Sequence, residues 1–483
     1  GVYKSVDGGK TFANMGLKDT HSISRIVTHP TDPDKVYAAA GGHLWGGSGS
    51  RGLFVTSDGG ATWTKLVNGL PDDGKTGAIE LVMDPSNPDI LYAGFWQRLR
   101  RPYRFDSGGP NGGIFKSVDG GASWKKLTAG LPEGDLGKIG LAVCRTRPQV
   151  LMAFVEHGFQ PRPTLPDGKP NPDFEDMTKL GTGIYRSEDG GETWRFMNRY
   201  NNRPFYYSHI YVNPLDDRVV YVVAGGFSIS FDGGKTLQAQ RTGIHGDYHA
   251  LWSDPGNKDR FYIGNDGGTA LTHDHGKKYL FYDNLPLSQF YAVGADGRDP
   301  YWVYGGLQDN GSWGGPSNSR DPAGILTDHW FRIGGGDGFY TPVDPFDGRT
   351  VYAESQQGYI SRVDVETRQT TSIRPRKANI LNYDEFVTPE ILELQKEKGW
   401  GNDNPFRFNW SSPILTSSHQ PGVVYFGGNV LFKTTDRGDS WTIISPDLST
   451  NDPVKIDRKT GGLTPDVTGA ENHCTIVTIS ESR

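Results

Sequence analysis

Two hydrophobic patterns alternate along this chain. In the first, a short strand-like run (GVYKS, GLFVT, GIFKS, GIYRS, VLFKT) leads into the box Ser/Thr, any, Asp, any, Gly, any, any, aromatic. The box occurs at Ser5 to Phe12, Thr56 to Trp63, Ser117 to Trp124, Ser187 to Trp194, Thr272 to Tyr279 and Thr434 to Trp441, and Ser230 to Leu237 ends in leucine instead. In the second, an apolar strand, a turn rich in Pro, Asp and Asn, and a strand with a central aromatic follow one another, as in IVTHPTDPDKVYAAA and IELVMDPSNPDILYAGF. Runs of this length between turn residues predict β-hairpins. Within the box, hydroxyl and carboxylate can accept backbone amides, glycine supplies positive φ, and the aromatic packs back over the hairpin. Asp7, Asp58, Asp119, Asp189, Asp232, Asp274 and Asp436 are therefore read as structural braces.

One hairpin of each kind makes a four-stranded antiparallel unit of propeller-blade size. The predicted fold is an all-β propeller with complete blades near 21–66, 78–127, 138–197, 208–240, 248–281, 290–333, 338–373 and 411–444. Residues 1–15 read as the last two strands of a further blade and Cys474 to Ile479 as a first strand. Eight complete blades and two half blades exceed the usual ring, so a larger or double propeller, cut from a longer chain, is expected.

Blades are expected over 1–372, with a Pro-rich inserted loop at 159–180, and again over 409–483. The insertion at 373–408 contains Thr388, Pro389 and EILELQKEK, a capped short helix.

Composition narrows the function. Of 483 residues, 66 are glycine and 57 are aromatic, which suits strands and tight turns rather than helical bundles. A net charge of −6 without a basic run argues against a nucleic-acid partner. No stretch reaches the apolar length of a membrane span. Cys144 and Cys474 form no framework or metal motif, and no cofactor is expected.

The boxes resemble the Asp-box, or BNR, repeat of sialidases, xyloglucanases and sortilin-type propellers. Phrases such as GIHGDYHALWSDP, YGGLQDNGSW and FRFNWSSPILTSSHQPGVVYFGG are similar to a bacterial family of large exported proteins labelled sortilin-like or glycosyl hydrolase-like. That resemblance implies a propeller in an extracytoplasmic setting, and it says little about chemistry, because one fold hosts many activities.

In a propeller the innermost strands line the channel and the loops at their starts form one face. At those starts stand His21, Asp135, Tyr207, His245, Asp247, His249, Gln289, Asp337, Asn409 and His473. His21, Asp135, Tyr207, His245, His249, Gln289, Asn409 and His473 are read as ligand-binding. His245, Asp247 and His249 alternate, which on a strand would turn them to one side. Three metal ligands at that period are crowded, so the cluster is read as binding substrate or bracing the channel, with no metal.

If the protein hydrolyses glycosides it needs two carboxyl groups, and Asp247 and Asp337, on glycine-flanked segments, are the candidates. The xyloglucanase resemblance implies a catalytic Asp shortly before an Asp-Pro turn. Asp247 and Asp337 each lie seven residues ahead of Asp254 and Asp344, a loose match. The sialidase pattern fails, since Phe331, Arg332 and Ile333 come late and are followed by Gly334. The leading expectation is an exported module binding a peptide, protein or glycan at its channel mouth. A glycoside hydrolase is the alternative, and a structural part of an extracellular assembly the third reading.

Overall fold

The computed structural model describes residues 1–285, 287–400, 404–457, 462–463 and 469–482. The chain is all-β, built of antiparallel propeller blades, and divides into two compact units. The first comprises Gly1–Arg101, Phe105–Asn284 and Gly461–Asp466, and the second Pro102–Arg104, Leu285–Thr460 and Val467–Arg483.

The first unit opens with a hairpin, Tyr3–Lys4 against Ala13–Asn14. Five blades follow, whose first strands are Ile23–Thr28, Thr76–Met83, Leu136–Val143, His209–Asn213 and Tyr248–Ser253. Residues from all five of these strands line one cavity of about 360 Å3, among them Arg25, Glu80, Leu141, Tyr211 and Leu251. That convergence defines the axis on which distant segments meet.

The repeated residues explain how blades form and lock together. In the box at 117–124, Ser117 Oγ donates to Asp119 Oδ1 at 2.7 Å and accepts the Gly121 N–H at 2.9 Å. Asp119 accepts the N–H and hydroxyl of Ser123. The same bonds recur around Asp7, Asp58, Asp189, Asp232 and Asp436. The Asp274 box keeps the hydroxyl and backbone bonds, with Lys278 N–H on the carboxylate.

The central aromatic of the second strand reaches the next blade: Tyr37 donates to the Gly120 carbonyl and Tyr92 to that of Gly190. Three box tryptophans also dock by their backbone on an earlier loop, Trp124 N–H on Asn68 O, Trp194 N–H on Ala129 O and Trp441 N–H on Asn379 O, whereas Trp63 uses its indole N–H on Met15 O. A Cβ on Gly130, whose φ is +81°, would lie 1.9 Å from the Trp194 carbonyl, so this junction requires glycine.

The second unit holds four-stranded blades starting at Phe290–Ala295 and Ile414–Thr416, and a sheet of Thr350–Ser355, Tyr359–Asp364 and Thr370–Ser372. The segment at 338–343 runs along that three-stranded sheet through Phe339 N–H to Glu354 O and Tyr352 N–H to Pro342 O. Pro342 lacks an N–H, and only isolated bridges form, Gly338 with Ser355 and Val343 with Val351. The insertion carries the helix Pro389–Glu397, capped by the Thr388 hydroxyl accepting from Ile391 N–H. Cys474 to Ile479 runs without a named strand partner, tied by Ile476 N–H to Gly428 O.

Candidate functional site

The first unit gathers polar side chains from several blades at the starts of its inner strands. Arg25 and Glu80, from neighbouring blades, form a two-pronged pair at 2.5 and 3.1 Å. Glu156 is fully buried, and its Oε2 accepts the Ser107 hydroxyl at 2.6 Å and the Lys138 N–H at 2.9 Å. Ser107 Oγ in turn accepts the Trp96 indole N–H at 2.9 Å.

That chain of bonds holds the Trp96 ring against two cations, the Arg98 guanidinium 5.0 Å and the Lys138 ammonium 5.8 Å from its centroid. Lys138 also donates to the Tyr206 carbonyl at 3.0 Å. Burial, then the Arg98 charge, pulls the Lys138 ammonium down to about 7, although Glu156 and Glu80 oppose the shift. Burial and the guanidinium groups of Arg51 and Arg100 bring Arg98 down to about 10. His209 is held well below its ordinary value by burial and then by Lys138, Arg25 and His249, and its Nδ1 has no partner. It stands there as a neutral imidazole.

Beside it lies a second cluster. The Tyr207 ring is 5.2 Å from that of His249, and His249 Nε2 contacts Asp266 Oδ1 at 3.1 Å. Burial and a hydrogen bond with Asp247 raise the Tyr207 phenol, so it stays protonated as a donor. Carboxylate oxygens of Asp247 and Asp266 lie within 4.8 Å of each other.

Of the residues anticipated from sequence, this brings together Tyr207, Asp247 and His249. The alternation expected of His245, Asp247 and His249 is not realised. The strand starts at Tyr248, Asp247 has φ of +54°, and a bulge falls between Tyr248 and Ala250. His245 instead turns its Nδ1 to the Gly246 carbonyl. His21 packs on His43 with ring centroids 3.6 Å apart, and Asp135 is exposed in the turn before Leu136.

In the second unit, Asp337 is buried, with Oδ1 accepting the Asp309 N–H and Oδ2 the Trp410 indole N–H, both at 3.0 Å. Both oxygens accept hydrogen bonds, so Asp337 ties the loop at Asp309 to Trp410. Gln289 is exposed, Asn409 donates to Thr475 Oγ1 at 2.9 Å, and His473 stands edge-on to Tyr103 at 5.7 Å.

Arg25, Glu80, Lys138 and Glu156 were not anticipated, and Asp266, in GNDGG, reads from sequence equally as an Asx turn or a catalyst. A charged residue inside an inner-strand run, as Lys138 is in LGKIGLAV, is the signal that points to Arg25, Glu80 and Lys138.

Glu354, also in the second unit, is 1% exposed, with Oε1 accepting the Ser412 N–H at 2.9 Å and Oε2 unpartnered. Burial raises its carboxyl well above the usual range. The folded state therefore keeps a proton that the unfolded chain loses above the ordinary glutamate value of 4.5, and stability falls as pH rises from there. Glu354→Gln is expected to remove up to about 1.4 kcal/mol of this loss per pH unit. Urea unfolding at pH 5 and pH 8 checks it, and an unchanged pH slope in the variant would refute it.

Comparison with known proteins places the fold. Residues 1–138 match the family described as "Sortilin, neurotensin receptor 3". The xyloglucanase of Hypocrea jecorina is 29% identical over 142 residues, 27% of this chain and 15% of that protein. Xyloglucanase Xgh74A of Acetivibrio thermocellus is 26% identical over 182 residues, 36% of this chain and 20% of that protein. The matches thus span a fifth or less of these relatives' length. Among solved structures, the GH74 enzyme of Niastella koreensis shares 13% identity at a TM-score of 0.34, over 92% of this chain and 66% of the other. The chain is an Asp-box propeller distantly similar to xyloglucanases.

Proposed function

We propose that this protein is an exported binding module whose first unit captures a glycan chain at the mouth of its blade channel. The observation that carries the reading is the convergence of Lys138, His209, Tyr207 and His249 from three blades, with hydrogen-bonding capacity left over. Lys138 donates to one carbonyl and His209 Nδ1 to none. Polar groups held this way by packing suit sugar hydroxyls, which both donate and accept. Trp45, 55% exposed with the Arg100 guanidinium 5.5 Å from its ring, offers an apolar face on the same unit for a pyranose. The xyloglucanase relatives make xyloglucan oligosaccharides the first ligand to try.

A second reading, glycoside hydrolysis, is favoured by the Asp247–Asp266 pair, since retaining enzymes keep their carboxyl groups about 5–5.5 Å apart. In this reading Asp266 takes the place that sequence alone assigned to Asp337.

One set of measurements tests both. Calorimetric titration with xyloglucan oligosaccharides is expected to show saturable binding that Lys138→Met or His249→Ala weakens about tenfold, the value of one lost buried hydrogen bond. No heat across a panel of neutral glycans, or unchanged affinity in both variants, would overturn the binding reading. Reducing-end release that Asp247→Asn and Asp266→Asn each abolish would establish hydrolysis, and absence of release rejects it.

A further inference from the structure

We infer that the first unit carries a second ligand site, a pocket for an acidic sugar, between the insertion at 159–180 and the loop after Arg195–Asn198. A cavity of about 730 Å3 lies there, whose lining includes Gln160, Arg162, Phe174, Arg199, Tyr200 and Asn201. Its lining residues include two arginines and four side-chain amides, and no carboxylate.

Arg199 is the centre of the site. It is 7% exposed, and its Nε and Nη2 are spent on the carbonyls of Phe174, Asp176 and Lys179, so it ties the insertion down. Its Nη1 is buried without a partner. The two nearby acids are committed elsewhere: Asp173 pairs with Lys179, and Asp176 accepts the N–H and hydroxyl of Thr178.

Taking a guanidinium out of water without a carboxylate against it is costly, and an anion in the cavity would offset that cost. Asn201 repeats the pattern with the opposite sense. It is 2% exposed, its Nδ2 donates to Ser208 Oγ at 2.9 Å, and its Oδ1 accepts from nothing. A buried donor and a buried acceptor, each without a partner, therefore belong to two lining residues of one cavity, and exposed Arg162 adds a second cation that forms no ion pair among the described residues.

The combination selects the ligand class. A guanidinium fork recognises a carboxylate, flat amides match vicinal hydroxyls, and the rings of Phe174 and Tyr200 can take the apolar face of a pyranose. A uronic acid presents all three features on one ring. The insertion that elsewhere would be a tolerated surface loop thus becomes the outer wall of a binding pocket.

Titration calorimetry with digalacturonate, cellobiose and inorganic phosphate tests this. Digalacturonate is expected to bind saturably, cellobiose and phosphate at least about tenfold more weakly. Arg162→Ala, at an exposed position, should weaken digalacturonate about tenfold with an unchanged melting temperature. Arg199→Gln should abolish binding, with circular dichroism confirming the blades. Lys138→Met, at the channel mouth, should leave it intact. No heat from digalacturonate at about 10 mM, equal affinity for phosphate, or affinity unmoved by both arginine variants would overturn the proposal.

Discussion

Trp441→Ala is expected to destabilise the second unit by about 3–5 kcal/mol, the loss typical of truncating a fully buried aromatic. Trp441 is 0% exposed and belongs to the largest apolar cluster of that unit, with Phe426 and Phe432 at centroid distances of 6.2 and 6.5 Å. Its indole N–H donates to Ile373 O at 2.7 Å, its backbone N–H to Asn379 O at 2.8 Å, and its carbonyl accepts from Leu381 N–H. One residue of the Asp-box hairpin therefore fastens the insertion that follows Ser372. Trp441→Phe keeps most of the volume and loses only the indole bond, so it should cost about 1 kcal/mol. Chemical denaturation followed by hydrogen exchange localises the effect. Protection in Val424–Gly427 and Leu431–Thr434 that survives in the alanine variant would show that box tryptophans are dispensable.

In the first unit the largest single effect is expected at Asp217. Its carboxylate receives Arg186 Nη2 from the preceding blade and Arg147 Nη1 at 3.0 Å, while Arg186 Nη1 donates to the Asp217 carbonyl at 2.9 Å. Arg186 is 6% exposed and would keep only the exposed Glu188 carboxylate, on its Nε, so Asp217→Ala would leave Nη2 of a buried guanidinium without its carboxylate, at a cost of about 3 kcal/mol. Adding Arg186→Met removes the stranded charge and should recover most of that loss. A double variant no more stable than Asp217→Ala would show that the loss has another origin. The pH dependence has a defined sign. Burial pushes the Asp217 carboxyl up, but hydrogen bonds from Arg186 and Arg147 outweigh it and hold the group below its usual 3.8. Its contribution is complete above that value and is lost as pH falls through the lower folded value, a dependence that Asp217→Ala removes.

The Asp boxes were legible in the sequence because their chemistry closes within a few residues. The Ser117 hydroxyl reaches Asp119 and Gly121, and Asp119 reaches Ser123, whatever surrounds them. Blades follow for the same reason, since hairpins are local and each alternation of strand and turn points to the next. The helix after Thr388 was equally local, written in a cap and a first-turn proline.

The candidate site was legible only in part. Tyr207, Asp247 and His249 were found because they stand at the starts of inner strands, where a blade needs no such groups for packing. Their arrangement was not, because the left-handed backbone at Asp247 and the bulge after Tyr248 break the alternation on which the strand argument relied. Asp337 reads from sequence as a candidate acid on a glycine-flanked segment, and its partners Asp309 and Trp410 lie 28 and 73 residues away. Neither can be paired with it from spacing alone.

By itself, then, the order of residues determined the repeated hairpin, the residues that brace it and the all-β propeller built from it, since each rests on contacts between near neighbours along the chain. Which charges meet was decided by tertiary structure. Arg25 finds Glu80 across 55 residues, Ser107 finds Glu156 across 49, and Arg199 anchors an insertion that begins forty residues before it. The physical reason is that a pair's strength and a group's proton affinity depend on distance and on exclusion of water. Both are properties of the packed blades and not of any one strand.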